Sequence, residues 1–192
     1  ITDLAFLYTQ LGEYSKTEDL LEDVIKERKR TFGAESRRLI KPYSAIGEMF
    51  LIKGDYPNAE DNFRKSLKVS EEVFGDTTLL FAKNLSYMVK LYVELGNYKA
   101  ALVNATDVLK TRDKLLRPGH ILFADTYNDL GNIHYNLGSD LNVVDKYYRL
   151  AMDITEKNFG QTHPLYAEAL KNVAFVHVQR KEYDEALTLL NQ

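Results

Sequence analysis

The sequence has no cysteine and no tryptophan, and its 192 residues include only 4 prolines. Without cysteine it cannot form a disulfide framework, a thiolate zinc site, an iron–sulfur cluster or a cysteine nucleophile. An excess of basic charge is also missing, because 25 Lys and Arg stand against 28 Asp and Glu, so no overall field attracts nucleic acid or an anionic membrane. No apolar run reaches the roughly 20 residues that a membrane span needs. We therefore expect a cytoplasmic protein that binds neither nucleic acid nor a membrane.

A repeat of 42 residues organises the chain. Four glycines share this spacing, and each follows an apolar helical run: Gly12, Gly54, Gly96 and Gly138. A fifth copy arrives 43 residues later with Lys181 in place of the glycine, and we expect the additional residue to form a bulged turn near Ser139. A second set of landmarks keeps the same register: Phe32-Gly33, Phe74-Gly75, Leu116-Arg117 and Phe159-Gly160. Self-similarity at a fixed period indicates a solenoid. It predicts one array with units of about 1–35, 36–77, 78–119, 120–162 and 163–192, the first and last truncated.

Each unit is predicted to contain two amphipathic helices, because apolar residues recur at three- and four-residue intervals. We expect the glycine to end the first helix in a left-handed conformation, and the Phe-Gly pair to end the second helix in the same way. Thr162 or His163, followed by Pro164, would start a first helix. No strand-like alternation of useful length is present, so ten helices account for the chain.

The repeat resembles the tetratricopeptide repeat family over essentially the whole chain. The motifs that carry the resemblance are Leu4-Ala5 with Tyr8, Gly12 and Tyr14, and Gly54-Asp55-Tyr56-Pro57-Asn58-Ala59 with Phe63. The 42-residue unit, its lengthened second helix and the loop from Phe159 to Pro164 are similar to the kinesin-light-chain variety, which is also widespread in bacterial multidomain proteins. The resemblance implies an all-α, right-handed α-solenoid of antiparallel helix pairs. It also implies a non-catalytic scaffold that binds a protein or peptide segment in a concave groove.

No catalytic residue, metal site or cofactor is predicted. The sequence has no His-Glu-x-x-His, no nucleotide-binding glycine loop and no Gly-x-Ser-x-Gly elbow. The four histidines form two pairs of repeat equivalents, His120 with His163 and His134 with His177. Equivalent sites in adjacent repeats lie on the order of 10 Å apart, which is too far for two residues to share a zinc ion. Duplicated structure therefore explains the histidines better than a metal site.

The predicted groove is the face of the first helices that does not pack in the core. The resemblance carries these residues onto it: Lys41, Ser44, Glu48, Lys83, Ser86, Lys90, Asn128, Asn132, Tyr135, Lys171 and Phe175. The same face also takes in Thr2, Phe6, Thr9, Leu51, Asp125, Glu168 and Val178. Because the lysines gather in the second and third units, we expect an acidic stretch of the ligand to lie there. Asn128 and Asn132 would bind the ligand backbone, and aromatic and leucine side chains would offer apolar pockets.

One local charge bias stands out, from Lys26 to Arg30 and on to Arg37, Arg38 and Lys41. Glu35 interrupts it, and the later repeats are acidic or neutral, whereas a nucleic-acid site needs a continuous basic face with aromatics for stacking. A solvated helix end is the favoured interpretation, since cations near a helix C-terminus are mildly stabilising.

Two alternatives to a self-contained binding groove stay open. The chain begins at Ile1 without Met and ends at Gln192 inside an apolar-periodic segment, so we expect it to be part of a longer protein. It would then be a spacer that docks other domains of the same chain, or the regulatory repeat half of an enzyme such as a CHAT-type peptidase or a signalling protein. The residues that follow Gln192 in the parent gene would separate these possibilities.

Overall fold

The computed structural model describes residues 2–191, and the described chain forms ten α-helices without a strand. A short 3-10 helix, Arg37–Leu39, precedes the third of them. The α-helices are α1 (Thr2–Gln10), α2 (Tyr14–Phe32), α3 (Ile40–Lys53), α4 (Tyr56–Phe74), α5 (Leu79–Glu94), α6 (Tyr98–Leu115), α7 (Leu122–Asn136), α8 (Leu141–Phe159), α9 (Pro164–Gln179) and α10 (Tyr183–Leu190). The predicted all-α class and the ten helices are confirmed.

The chain divides into two compact units, Ile1–Gly96 and Asn97–Gln192. In the first unit α1 to α4 each pack against the next helix along the chain, and α3 also contacts both α1 and α5. The first helices of the repeats are therefore neighbours there, and their free faces form one surface. In the second unit α6 to α9 each pack against the next helix along the chain. That the five repeats act as one array stays a prediction.

The hydrophobic stripes of the helices form the cores of the two units. In the first unit the fully buried side chains include Leu21, Met49, Phe63 and Leu91. In the second unit Val144 and Tyr148 of α8 pack with Val173 and Val176 of α9. Burying a side chain of this size contributes about 1.5–3 kcal/mol relative to leaving it exposed. The contact between consecutive helices is therefore what holds each unit together.

The turn between the two helices of a repeat requires a left-handed residue. Gly54 has φ 80° and ψ 11°, and its N–H bonds to the carbonyl of Leu51 while the N–H of Asp55 bonds to that of Phe50. Lys181 takes the same place in the last repeat with φ 64°, and it is the only non-glycine residue with positive φ among residues 2–191. In the fourth repeat the extra residue, Ser139, lies between Gly138 and the capping Asp140, as predicted.

The ends of the second helices differ from our expectation. Gly75 has φ 79° and ψ 173°, which is not the left-handed helical conformation that we predicted but an extended one with positive φ. Only glycine populates this region readily. Where the third repeat has Arg117 instead, α6 ends one residue early, and Leu116 leaves the helix with φ −116° and ψ 149°. The missing glycine thus shortens the helix.

Small residues allow close approach of paired helices. A Cβ on Gly131 of α7 would lie 2.6 Å from Cδ1 of Tyr148 on α8, so nothing larger than hydrogen fits there. The following helix starts in the expected manner, because His163 caps α9 by accepting a hydrogen bond at Nδ1 from the N–H of Leu165, and Pro164 is the first helical residue.

Candidate peptide-binding groove

The free faces of α1, α3 and α5 enclose a cleft of about 340 Å³ in the first unit. Four of the predicted groove residues line it, namely Lys41, Ser44, Glu48 and Lys83. Its other walls include Thr2, Phe6, Thr9, Ile52, Leu80, Asn84 and Tyr87. The cleft is of the size at which small-molecule and side-chain pockets begin. We call it the α1–α3–α5 cleft.

The polar centre of this cleft is the half-buried carboxylate of Glu48. Burial raises the pKa of Glu48, while the charges of Lys90 and Lys83 and a hydrogen bond from the Tyr87 hydroxyl oppose that rise. Burial, with Glu48 beside it, also raises the pKa of Tyr87 well above its ordinary value. The phenol therefore stays protonated and donates to Glu48. Lys90 belongs to this charge cluster although it does not line the cleft itself.

A hydroxyl and amide network forms the floor of the cleft. Ser44 donates to Oδ1 of Asn84 at 2.6 Å, and Ser66 donates to the same atom at 2.9 Å. Both hydroxyls also lie 3.0 Å from the carbonyl oxygen of Ile40, and the Asn84 amide donates to Leu80. Ser44, Ser66 and Asn84 are all buried. Ser44 thus supports the cleft from beneath and is not an exposed contact.

The sequence reasoning missed several wall residues, among them Ile52 and Tyr87. Ile52 is 54% exposed at the end of α3, and Tyr87 lies on α5 between Lys83 and Lys90. The signal was present, because Ile52 is four residues after Glu48 and Tyr87 is four residues after Lys83, which places each on the same helix face.

The remaining residues predicted for the groove of the first unit differ in how exposed they are. Phe6 is 60% exposed and faces the cleft. Thr9 is buried and bonds to the carbonyl of Ala5 at 2.9 Å, and Leu51 packs against the core. Ser86 is half-buried, and its hydroxyl donates to the carbonyl of Ala82 at 3.0 Å.

In the second unit the predicted residues of α7 contact side chains of α8 and α9. Oδ1 of Asn128 accepts from the Asn172 amide at 3.2 Å, and Oδ1 of Asn132 accepts from the Tyr148 hydroxyl at 2.7 Å. The rings of Tyr135 and Phe175 meet edge to face with centroids 4.9 Å apart. Lys171, Asp125 and Glu168 are exposed. Each asparagine keeps its NH₂ group as a donor toward a ligand.

The histidines are explained by repeat equivalence. Arg149 of α8 pairs with Asp145 at 2.9 Å and donates to Nε2 of His177 at 3.1 Å. Two repeats earlier, the equivalent residue Arg64 of α4 pairs with Glu60 and donates to the hydroxyl of Tyr92 at 3.1 Å. Since arginine can only donate, Nδ1 of His177 carries the proton that Glu182 accepts at 2.7 Å. His177 therefore replaces a tyrosine in a contact between consecutive repeats.

His134 makes a contact equivalent to that between His177 and Glu182, at the turn of the preceding repeat. Its Nδ1 lies 3.0 Å from the hydroxyl of Ser139, in the same relation to the turn as His177 to Glu182, and burial lowers the pKa of its imidazole. Within residues 2–191 no three His, Asp or Glu side chains lie close enough together to hold a metal ion.

Comparison with known proteins agrees with this architecture. The tetratricopeptide repeat family matches residues 1–72, 39–114 and 122–192. The chain belongs to the tetratricopeptide repeat family. No curated protein sequence matches it significantly. None of the helices in the described part of the chain is long and apolar enough to cross a membrane.

Solved tetratricopeptide repeat structures share the fold at low sequence identity. Kinesin light chain TPR-like repeats from Podosopora anserina are 17% identical with a TM-score of 0.80, over 99% of this chain and 91% of that chain. BtubC (BKLC) from P. vanneervenii is 20% identical with a TM-score of 0.84, over 98% of this chain and 74% of that chain. The apo form of RapI is 12% identical with a TM-score of 0.80, over 96% and 64%. The predicted resemblance to the kinesin-light-chain variety is confirmed for the fold.

Proposed function

We propose that this tetratricopeptide repeat chain is a non-catalytic interaction scaffold, and that its α1–α3–α5 cleft binds an extended, acidic segment of a partner protein. The observation that carries the proposal is the combination of Lys41, Lys83 and two exposed apolar walls around one opening. This arrangement suits a chain that alternates carboxylates with apolar side chains.

The lysines give the ligand its orientation. Lys41 and Lys83 are exposed at the N-terminal ends of α3 and α5, where the helix dipoles also favour negative charge. Exposed ion pairs typically contribute about 1 kcal/mol or less each, so they mainly set direction and association rate. Glu48 offsets part of the positive charge deeper in the cleft, and we place the acidic end of the ligand toward Lys41.

The apolar walls supply most of the affinity. Phe6 and Ile52 are 60% and 54% exposed although both are large apolar side chains, and they face the same cleft from α1 and α3. A side-chain anchor buried against such walls can contribute 2 kcal/mol or more. An apolar residue of the ligand close to its acidic residues is therefore required.

We propose the equivalent face of the second unit as a peptide site in its own right. There the amides of Asn128 and Asn132 would donate to ligand backbone carbonyls, Lys171 would meet a carboxylate, and the edge-to-face pair of Tyr135 and Phe175 would hold an apolar side chain. These groups lie on α7 and α9, the first helices of their repeats.

A synthetic peptide of alternating aspartate and leucine tests the proposal, with a lysine and leucine peptide as its control. We expect the acidic peptide to bind and the basic one to bind far more weakly. Lys83→Glu with Lys90→Glu should weaken the acidic peptide with marked salt dependence. The matched change Lys65→Glu with Lys68→Glu on α4 alters the net charge equally and should have little effect. Loss of binding in the α4 variant alone would move the docking surface to the second helices.

A further inference from the structure

A second pocket of the first unit lies beside the groove, at the turn between α2 and α3. It has a volume of about 370 Å³, and four cationic side chains line it, namely Arg28, Arg37, Arg38 and Lys41. Its apolar walls are Ile40, Phe74 and Leu80. The basic run that the sequence indicated as a solvated helix end is thus gathered around a concave site. We call it the basic pocket.

The four cations have no carboxylate partner within the described chain. None of the ion pairs between residues 2 and 191 includes any of them. Glu27, the acidic residue that precedes Arg28 on α2, is bound by Arg30 at 2.9 Å and by Thr31 at 3.1 Å. Four positive charges around one cavity repel each other unless an anion joins them.

Two of the arginines are fixed in place. Arg28 donates from one terminal nitrogen to the carbonyl oxygen of Arg38, and the guanidinium of Arg38 lies over the ring of Phe32 at 3.9 Å from its centroid. These contacts hold the side chains at the pocket and leave further guanidinium N–H groups to donate to a ligand.

The repeat itself provides an internal comparison. Arg112 is the repeat equivalent of Arg28, and it likewise donates to the carbonyl of the equivalent residue, Leu122. Burial lowers the pKa of Arg112, and the charges of Asp125 and Asp129 oppose this change. The position of Asp125 in this register is occupied in the second repeat by Lys41. In the second unit Asp125 and Asp129 therefore provide negative charge near Arg112, whereas in the first unit Lys41 adds a positive charge near Arg28.

We propose that the basic pocket binds a phosphorylated side chain of a partner protein. A phosphate monoester carries about −1.5 to −2 charge at pH 7 and three acceptor oxygens, and it matches four cations better than a single carboxylate does. Guanidinium groups also pair with phosphate in a bidentate manner. Ile40, Lys41 and Leu80 line both this pocket and the α1–α3–α5 cleft, so one protein segment reaches both. Only the protein nature of the ligand rests on the proposed function.

Titration of the full chain with a pentapeptide that has a central phosphoserine tests the inference. We expect this peptide to bind roughly ten-fold more tightly than the same peptide with a central glutamate. Arg37→Gln with Arg38→Gln, two exposed side chains, should remove most of that difference. The matched variant Lys114→Gln with Arg117→Gln removes two exposed cations at the corresponding turn of the second unit and should leave the affinity unchanged. Circular dichroism melting curves check that both variants fold like the parent chain.

Other results would overturn the inference. Equal weakening in the two variants would show a non-specific charge effect, and equal binding of the glutamate peptide would exclude a preference for phosphate. Tighter binding of a thymidine oligonucleotide than of the phosphopeptide would indicate a nucleic-acid site. The groove variant Lys83→Glu with Lys90→Glu should still bind the phosphoserine peptide. If the parent chain binds the phosphoserine peptide but not the aspartate and leucine peptide, only the proposed function is contradicted.

Discussion

Gly47 of α3 lies directly against the ring of Phe63 on α4. A Cβ on Gly47 would be 2.6 Å from both Cδ1 and Cε1 of that ring. The ring of Phe63 also stacks on the ring of Tyr87, with centroids 5.2 Å apart and planes 6° apart. The close packing of α3 on α4 therefore fixes the position of Tyr87, which lines the α1–α3–α5 cleft.

Replacing Gly47 with alanine should destabilise the chain. Alanine favours a helix by about 1 kcal/mol over glycine, but overpacking a tight core contact costs typically 1–3 kcal/mol. We expect the second effect to dominate, and urea denaturation should show a lower free energy of unfolding. The double variant Gly47→Ala with Phe63→Leu should be more stable than the sum of the single changes predicts. A stabilised single variant would mean that the helices separate easily.

Replacing Lys181 with glycine should stabilise the last repeat. Lys181 has φ 64°, and a left-handed conformation costs a residue with a Cβ roughly 1–2 kcal/mol. The reverse change at an equivalent turn, Gly96→Ala, places a Cβ at φ 67° and should destabilise by a similar amount. Thermal unfolding of both variants checks the pair, and an unchanged or lowered melting temperature for Lys181→Gly would show that the turn relaxes without strain.

Breaking the network beneath the cleft should cost stability in a non-additive way. Asn84→Leu removes the acceptor shared by Ser44 and Ser66, so the two buried hydroxyls are left to share the carbonyl oxygen of Ile40, and a poorly satisfied buried polar group costs up to about 1–3 kcal/mol. The triple variant Ser44→Ala, Ser66→Ala, Asn84→Leu removes both hydroxyls together with their shared amide acceptor, so we expect it to be more stable than Asn84→Leu alone. Chemical denaturation of the series decides this, and additive losses would contradict it.

Glu48 should make stability depend on pH. Because burial raises the pKa of Glu48 above its ordinary value of 4.5, the folded chain holds this proton more tightly than the unfolded chain does. The resulting stabilisation is present at low pH and is lost as the pH rises through the folded pKa. Glu48→Gln should thus be more stable than the parent chain at pH 7, with the difference shrinking below about pH 4.5. Equal stability of Glu48→Gln and the parent chain at pH 7 would contradict a raised pKa of Glu48.

The sequence was sufficient for the fold but not for the site. The spacing of Gly12, Gly54, Gly96 and Gly138 predicts the helix pairs because a left-handed turn constrains the residue that occupies it. The conformation at the ends of the second helices was mispredicted, because the spacing places Gly75 after α4 but does not determine its ψ angle.

Groove positions were predicted less well, because helical spacing gives the face of a residue but not its depth. Ser44 falls on the expected face, yet its hydroxyl is buried against Ser66 and Asn84. The basic pocket is lined by residues as distant in sequence as Arg28 of α2 and Leu80 of α5, and a sequence pattern does not show that they lie close together. Conversely, the two histidine pairs were interpreted from register alone, and their contacts follow it.

The most direct test of the proposed function is a nuclear magnetic resonance titration of the chain with the aspartate and leucine peptide. We expect the largest shift changes at Phe6, Lys41, Ile52, Lys83 and Tyr87, and small changes along the exposed faces of α2 and α4. Large changes confined to α2 and α4, with those five residues unaffected, would contradict binding in the α1–α3–α5 cleft.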